Sequence, residues 1–175
     1  MRTGWTNLHS VPGLRNGEWM KFSTRQDIDV PADKVFRAVT NFDALERRAL
    51  RRGAELQRED PPRGPGLGTK WKSRIKLRGR HRNIRSEVVR FDAPTGMDIL
   101  SESGGLETDF RLEVLPLSPR STRLSMSFEL RPQSLTARLV VQSLKLARGT
   151  IGDRFDKAVA GFARELEDRH RDGAL

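Results

Sequence analysis

The apolar positions of this chain follow two periods. From Ser134 to Arg169, Val140, Leu144, Ala147, Ile151, Phe155, Ala158, Phe162 and Leu166 recur at three- and four-residue steps. That spacing predicts one long amphipathic helix, about 50 Å from end to end. A second apolar row, Leu135, Leu139, Leu146 and Val159, runs beside the first. Upstream of residue 132 the period falls to two. Between Met20 and Val30 the residues Met20, Phe22, Ile28 and Val30 share one face with Thr24 and Gln26, which predicts a half-buried strand. Pro31 is placed to open a short helix whose apolar side is Val35, Phe36 and Val39. Asn41 or Asp43 caps a second short helix, Phe42 to about Arg52, closed by Gly53. Ala54 to Glu59 reads as a strand, and Pro61 to Gly68 as a loop.

The remaining strands set their own register. Lys70, Lys72, Arg74, Lys76 and Arg78 alternate with Trp71, Ser73, Ile75 and Leu77, so the basic set faces out. A Gly79-Arg80 turn would pair Ile75 with Ile84, Ser73 with Ser86 and Trp71 with Val88 inside, with Lys72 facing Glu87 and Arg74 facing Arg85 outside. A Gly104-Gly105 turn pairs Ser101 with Thr108, Ile99 with Phe110 and Met97 with Leu112 inside, and sets Asp98 against Arg111 outside. The last strand, Thr122 to Arg131, turns Leu124, Met126, Phe128 and Leu130 inward before Pro132 stops it. The expected architecture is α+β: a seven-stranded curved antiparallel sheet gripping a long C-terminal helix, with two short helices after the first strand.

Size and charge narrow the function classes. The 175 residues suit one domain, placed at residues 20–172, with a loosely ordered arm at 1–19 that Trp5 or Trp19 could pin, and a tail at 173–175. There is no cysteine, so disulfides, thiolate metal sites and cysteine nucleophiles are excluded. No apolar signal segment precedes Gly17 and no apolar run reaches a membrane span, so the default expectation is cytoplasmic. The net charge of +10 favours acidic partners. The loop at Gly64–Gly68 precedes Thr69-Lys70 and a strand, which breaks the strand–loop–helix context of a phosphate-binding loop and excludes that reading.

No catalytic constellation is visible. His9, His81 and His170 are not placed for a hydrolytic triad or a paired metal site, so no metal and no cofactor is expected. Glu102, Glu107 and Asp109 gather near one hairpin, but the register puts all three outside. The inner face is more informative. The strands bring Thr24, Gln26, Ser73, Ser86, Ser101 and Thr108 among Trp71, Val88, Ile99, Phe110, Met126 and Phe128. From the helix, Leu139, Ser143, Leu146 and Thr150 are expected to join them, so that the helix acts as a lid near its glycines, Gly149 and Gly152. Either the hydroxyls bond across strands, or they are the few polar groups of an apolar ligand cavity. Arg47, Arg48, Arg51 and Arg52 on the second helix read as a solvated face or as a cationic rim beside the opening. The outer ladder with Lys72, Arg74 and Lys76 reads as a solvated sheet face or a docking face for an anionic membrane; nucleic acid is disfavoured, because the ladder lacks interleaved aromatics. Oligomeric state is left open.

Three segments carry a resemblance. Ile28-Asp29-Val30-Pro31-Ala32-Asp33-Lys34-Val35-Phe36, Gly64-Pro65-Gly66-Leu67-Gly68-Thr69 and Val88-Val89-Arg90-Phe91-Asp92-Ala93-Pro94 are together similar in order and spacing to the Bet v 1-like, START-related helix-grip superfamily, of the polyketide cyclase/dehydrase and lipid transport type. The resemblance implies a hydrophobic cavity between sheet and long helix. With the arginine-rich second helix, it leads to an expected function: non-enzymatic binding or transfer of a hydrophobic or amphipathic, anionic small molecule. A polyketide cyclase/dehydratase-like enzyme and a polyanion- or partner-binding protein are the alternatives.

Overall fold

The computed structural model describes residues 19–77 and 79–174, so the arm at 1–18 with Trp5 lies outside the described residues. Seven antiparallel strands, β1 (Met20–Ile28), β2 (Glu55–Glu59), β3 (Lys70–Leu77), β4 (Arg80–Asp92), β5 (Gly96–Ser103), β6 (Leu106–Ser118) and β7 (Ser121–Pro132), form one sheet in the order β1-β7-β6-β5-β4-β3-β2. Two helices, α1 (Ala32–Val39) and α2 (Phe42–Arg51), follow β1, and α3 (Leu135–Leu146) and α4 (Arg148–Arg171) follow β7. The architecture is the expected α+β grip.

The helix boundaries follow the capping chemistry. Asn41 starts α2 by accepting from the Ala44 amide at 3.0 Å, and Ser134 starts α3 by accepting from the Ala137 amide at 3.1 Å. The expected single helix from Ser134 is instead two. It breaks at Ala147, whose φ of −103° and ψ of 14° serve as the end of one helix and the start of the next. Gly149 and Gly152 lie just beyond, so helix propensity is weak beside the break.

The β5–β6 register is as expected: Ile99 opposes Phe110, Ser101 opposes Thr108, and Met97 and Leu112 are both buried. The β3–β4 register is displaced. Leu77 pairs with Arg80, Ser73 with Ile84, Trp71 with Ser86 and Lys72 with Arg85. Gly79, at φ +79°, is the last loop residue before Arg80. A glycine suits the second central position of a tight hairpin turn better than the first, and so pulls the turn one residue back. The slip moves the pairing by two, so the faces are unchanged. Outside, Glu87 meets Lys70 at 3.9 Å rather than Lys72, and Arg74 reaches Glu55 on β2 at 3.7 Å.

The core lies where α1 and α4 cover the sheet. Ile28, Val30, Val35, Phe36, Val39, Leu112, Val114, Leu124, Val159, Ala163 and Leu166 pack as one cluster. A second cluster joins Met20, Phe22, Leu130 and Val141 under α3, and a third joins Phe42, Val88 and Met97 under α2. The outer face is an ionic lattice. Glu129 takes Lys21 at 3.1 Å and Arg131 at 2.6 Å, and Asp109 takes Arg111 at 2.9 Å and Arg131 at 3.4 Å. Asp98 stands opposite Arg111 by register, but its two oxygens are gripped by Arg90 at 2.8 and 3.0 Å. Arg90 reaches across from β4 with the right length for a two-pronged grip. Asp109 is outside as expected, yet buried beneath its two arginines.

Candidate ligand groove

The helices do not cover the concave face evenly. α4 runs along β1, α3 lies on β7, α1 crosses β6 and β7, and α2 sits on β2. Between them the inward side chains of β3–β6 are half-buried rather than buried: Ser73, Ile75, Ile84, Ser86, Ile99, Ser101, Thr108 and Phe110. They form a trough whose floor mixes aliphatic and aromatic side chains with the hydroxyls of Ser73, Ser86, Ser101 and Thr108. The Ser86 and Ser101 hydroxyls meet across it at 2.8 Å, one donating to the other.

Aromatic rings and one ionic knot make the walls. Phe22 stacks on Phe128 at 4.9 Å, and Phe155 of α4 meets Phe128 edge-on at 5.0 Å. At the other side Trp71 packs edge-on against Phe42 at 5.0 Å, and its indole nitrogen donates to Glu46 at 2.7 Å. The same Glu46 accepts from Arg58 at 2.9 Å, while Arg58 also binds Asp43 at 2.7 Å and Asp60 at 3.0 Å. These carboxylates raise the guanidinium's already high pKa against the opposing effect of desolvation, the Asp43 bond contributing most. Arg58 therefore fastens α2 to the mouth of the trough as a fixed cation. Sequence reasoning missed this knot. Its one available signal was parity, since Arg58 shares the inward face of β2 with Leu56.

On β1, Thr24 lies inward between Phe22 and Gln26, opposite Met126. It is 7% exposed, and its hydroxyl has no hydrogen-bond partner among the described residues. Gln26, Met126, Phe128 and Trp71 are half-buried, and Val88 is fully buried in the floor. The helix side differs from expectation. Leu139, Ser143, Leu146 and Thr150 are all exposed, and Ser143 donates to the Val140 carbonyl at 2.7 Å. The face of α3 that meets the sheet is Ala137 and Val141, roughly opposite the leucines on the helix. Two apolar faces compete on this helix, and the smaller residues, which allow closer approach to β7, take the inside.

The cationic rim also divides. Arg47, Arg51 and Arg52 are exposed, whereas Arg48 binds both oxygens of Glu165 on α4 at 2.8 and 2.9 Å and lies 6.0 Å from the Phe162 ring. Arg48 borders a cleft of about 270 Å³ between α1, α2 and α4 and away from the trough, lined also by Lys34, Arg37 and Phe162. Lys72, Arg74 and Lys76 stand exposed on the outer face. A cation that sequence reasoning passed over is closer to the trough. Arg82 pairs with Ile75 and shares the inward parity of Ile84 at the free end of the floor. Its guanidinium nearly reaches Gly104 on the next hairpin, and it has no ion-pair partner among the described residues.

Among the described residues no cluster of His, Asp and Glu could hold a metal ion, and no helix is long and apolar enough to cross a membrane. The trough offers apolar area, a paired hydroxyl step and an arginine with no ion-pair partner among the described residues.

Residues 20–167 match the family described as polyketide cyclase / dehydrase and lipid transport. The chain belongs to that family. No curated protein sequence matches it. Among solved structures it is similar to a protein of Thermus thermophilus, at 16% identity and a TM-score of 0.59, covering 89% of this chain and 100% of that one. An aromatase/cyclase from a Streptomyces species superposes with a TM-score of 0.59 at 13% identity, covering 86% and 95% of the two chains. Norcoclaurine synthase of Thalictrum flavum, in complex with dopamine and hydroxybenzaldehyde, gives 0.55 at 14% identity, covering 82% and 87%. At these identities the likeness is one of fold: the Bet v 1-like, START-related helix grip.

Proposed function

We propose that this protein binds, without chemical conversion, an amphipathic small molecule whose apolar body lies on the trough floor and whose acidic group meets Arg82. The half-buried floor carries this reading. A row of inward aliphatic and aromatic side chains left partly open by the helices is the ordinary form of a small-molecule site, with a few polar groups to fix orientation. Arg82 supplies the charge, and the Thr24 hydroxyl supplies an unused polar contact at the α4 side. Binding without conversion is supported by what surrounds the floor: the two serines are hydrogen-bonded to each other, and the nearby carboxylates Glu102 and Asp109 are engaged by arginines on the outer face.

Oleate and oleyl alcohol make a matched test. Titration followed by Trp71 fluorescence should show saturable binding of both, with oleate the tighter. Arg82→Ala should weaken oleate about tenfold, the value of one charged hydrogen bond, and leave the alcohol unchanged. Ser101→Phe, which fills the trough, should abolish both. A protein that binds neither probe, or an Arg82→Ala variant that keeps the oleate preference, overturns the assignment.

A further inference from the structure

α3 is left with an apolar face that nothing among the described residues covers. Leu135, Leu139 and Leu146 are 75%, 73% and 92% exposed, and steps of four and seven residues put all three on one line of the helix. The opposite line, Ala137 and Val141, is fully used against β7. Three such leucines on one helix exceed the scattered exposed aliphatics of an ordinary surface.

The charges around this face identify the partner. From Ser134 to Gly152 there is no acidic residue, while Arg138, Lys145 and Arg148 fall in the same stretch. Arg138 and Lys145 lie about 80–100° around the helix from the leucine line, where long cationic side chains can follow the helix down and reach outward. A leucine line edged by cations suits an interface apolar below and anionic above. A protein surface would have to supply both in register, whereas an anionic bilayer supplies them everywhere. The whole chain, at +10, is drawn to the same surface. We infer that α3 is a docking helix for an anionic lipid bilayer, lying in the interface with Leu135, Leu139 and Leu146 inserted. This places the membrane-facing surface on α3 rather than on the basic outer sheet. It also places the docking element directly before the break at Ala147, at one end of the trough.

Co-sedimentation of the full chain with phosphatidylcholine vesicles, with and without phosphatidylserine, tests this. The protein should pellet with the serine-containing vesicles, release as salt rises, and bind pure phosphatidylcholine weakly. The double variant Leu139→Glu, Leu146→Glu should lose at least about tenfold in vesicle affinity, since two inserted leucines are replaced by charges that the surface repels. Its melting temperature should be unchanged, because neither side chain packs on the protein. Ser101→Phe should pellet like the parent, which separates docking from uptake of lipid into the trough. Lys72→Glu, Lys76→Glu on the outer ladder should retain most binding. Failure of the parent to pellet with anionic vesicles overturns the proposal, as does loss confined to the ladder variant. A parent dimer in sedimentation velocity that the leucine variant dissociates, without vesicle binding, would assign the face to a second copy instead.

Discussion

Thr24 is a single group that is costly to the fold and, in the proposed function, useful to the site. A hydroxyl held from water with no partner costs about 1–3 kcal/mol, and valine keeps its shape and strand preference. Thr24→Val should raise the melting temperature by about 2–4 °C for each kcal/mol recovered, measured by calorimetry. If the ligand uses this hydroxyl, the same variant will bind oleate more weakly while melting higher. The carboxylates of the outer lattice behave differently. At Glu129 burial pushes the pKa up, but the bonds from Arg131 and Lys21 outweigh it and hold it below the usual carboxylate range. At Glu102 the Arg85 bond, aided by the Gly105 amide, lowers it against the cost of burial. Lowered values mean that their stabilisation is complete above the unfolded carboxylate range, near pH 4, and is lost as pH falls through the folded values. Urea unfolding at pH 7 and at pH 3 should therefore show a weaker protein in acid. Glu129→Gln should reduce that difference while lowering stability at pH 7, since Lys21 and Arg131 lose their shared acceptor.

At the level of elements, much could be read because alternation and turn chemistry agreed. The β5–β6 pairing of Ile99 with Phe110 came from two glycines at the turn and an apolar face on each side. The β3–β4 slip came from a turn with one glycine, where two adjacent positions competed for it, and only the strand faces were secure. Arg58 and Glu46 could not be paired from sequence, because β2 is short and its contact with α2 is tertiary. The helix face was misjudged for a related reason: α3 carries leucines on one line and Ala137 with Val141 on the other, and only packing against β7 decides between them. The break at Ala147 lies where the chain supplies two glycines nearby. A Cβ at Gly149 would meet nothing within 4 Å, so Gly149→Ala should stabilise the start of α4 by about 1 kcal/mol, seen as slower amide exchange there. Gly105 is the reverse case. Its φ is +77°, and a Cβ would come 2.5 Å from the Ser134 hydroxyl oxygen at the start of α3. Gly105→Ala should destabilise by at least about 1–2 kcal/mol from the backbone conformation alone, and should loosen the β5–β6 tip from α3.

Across the whole molecule, the fold and family were legible from residues 20 onward because the switch from period two to period 3.6 spans nearly the entire chain. The trough was not legible. Its floor is built from ordinary strand residues whose exposure depends on how far α4 and α2 reach over them, a property of the assembled grip and not of any segment. If trough and docking helix belong to one task, bilayers containing oleate should deliver it faster to the parent protein than to the leucine-to-glutamate variant, a comparison that stopped-flow fluorescence can make.

The pairing of β1 with β7 has a kinetic meaning. Met20 stands beside Leu130, so the first strand has no sheet neighbour until the last one exists. On a ribosome, β1, α1 and α2 emerge long before their mates, and a chain cut before Ser121 would leave Met20, Phe22 and Ile28 without the strand that pairs with them. Closing so long a loop before its contacts give any return is slow, and sheets built this way refold in milliseconds to seconds. The newborn chain must carry a sticky β1 until β7 has been made, which makes this interval the time at which a chaperone would matter most.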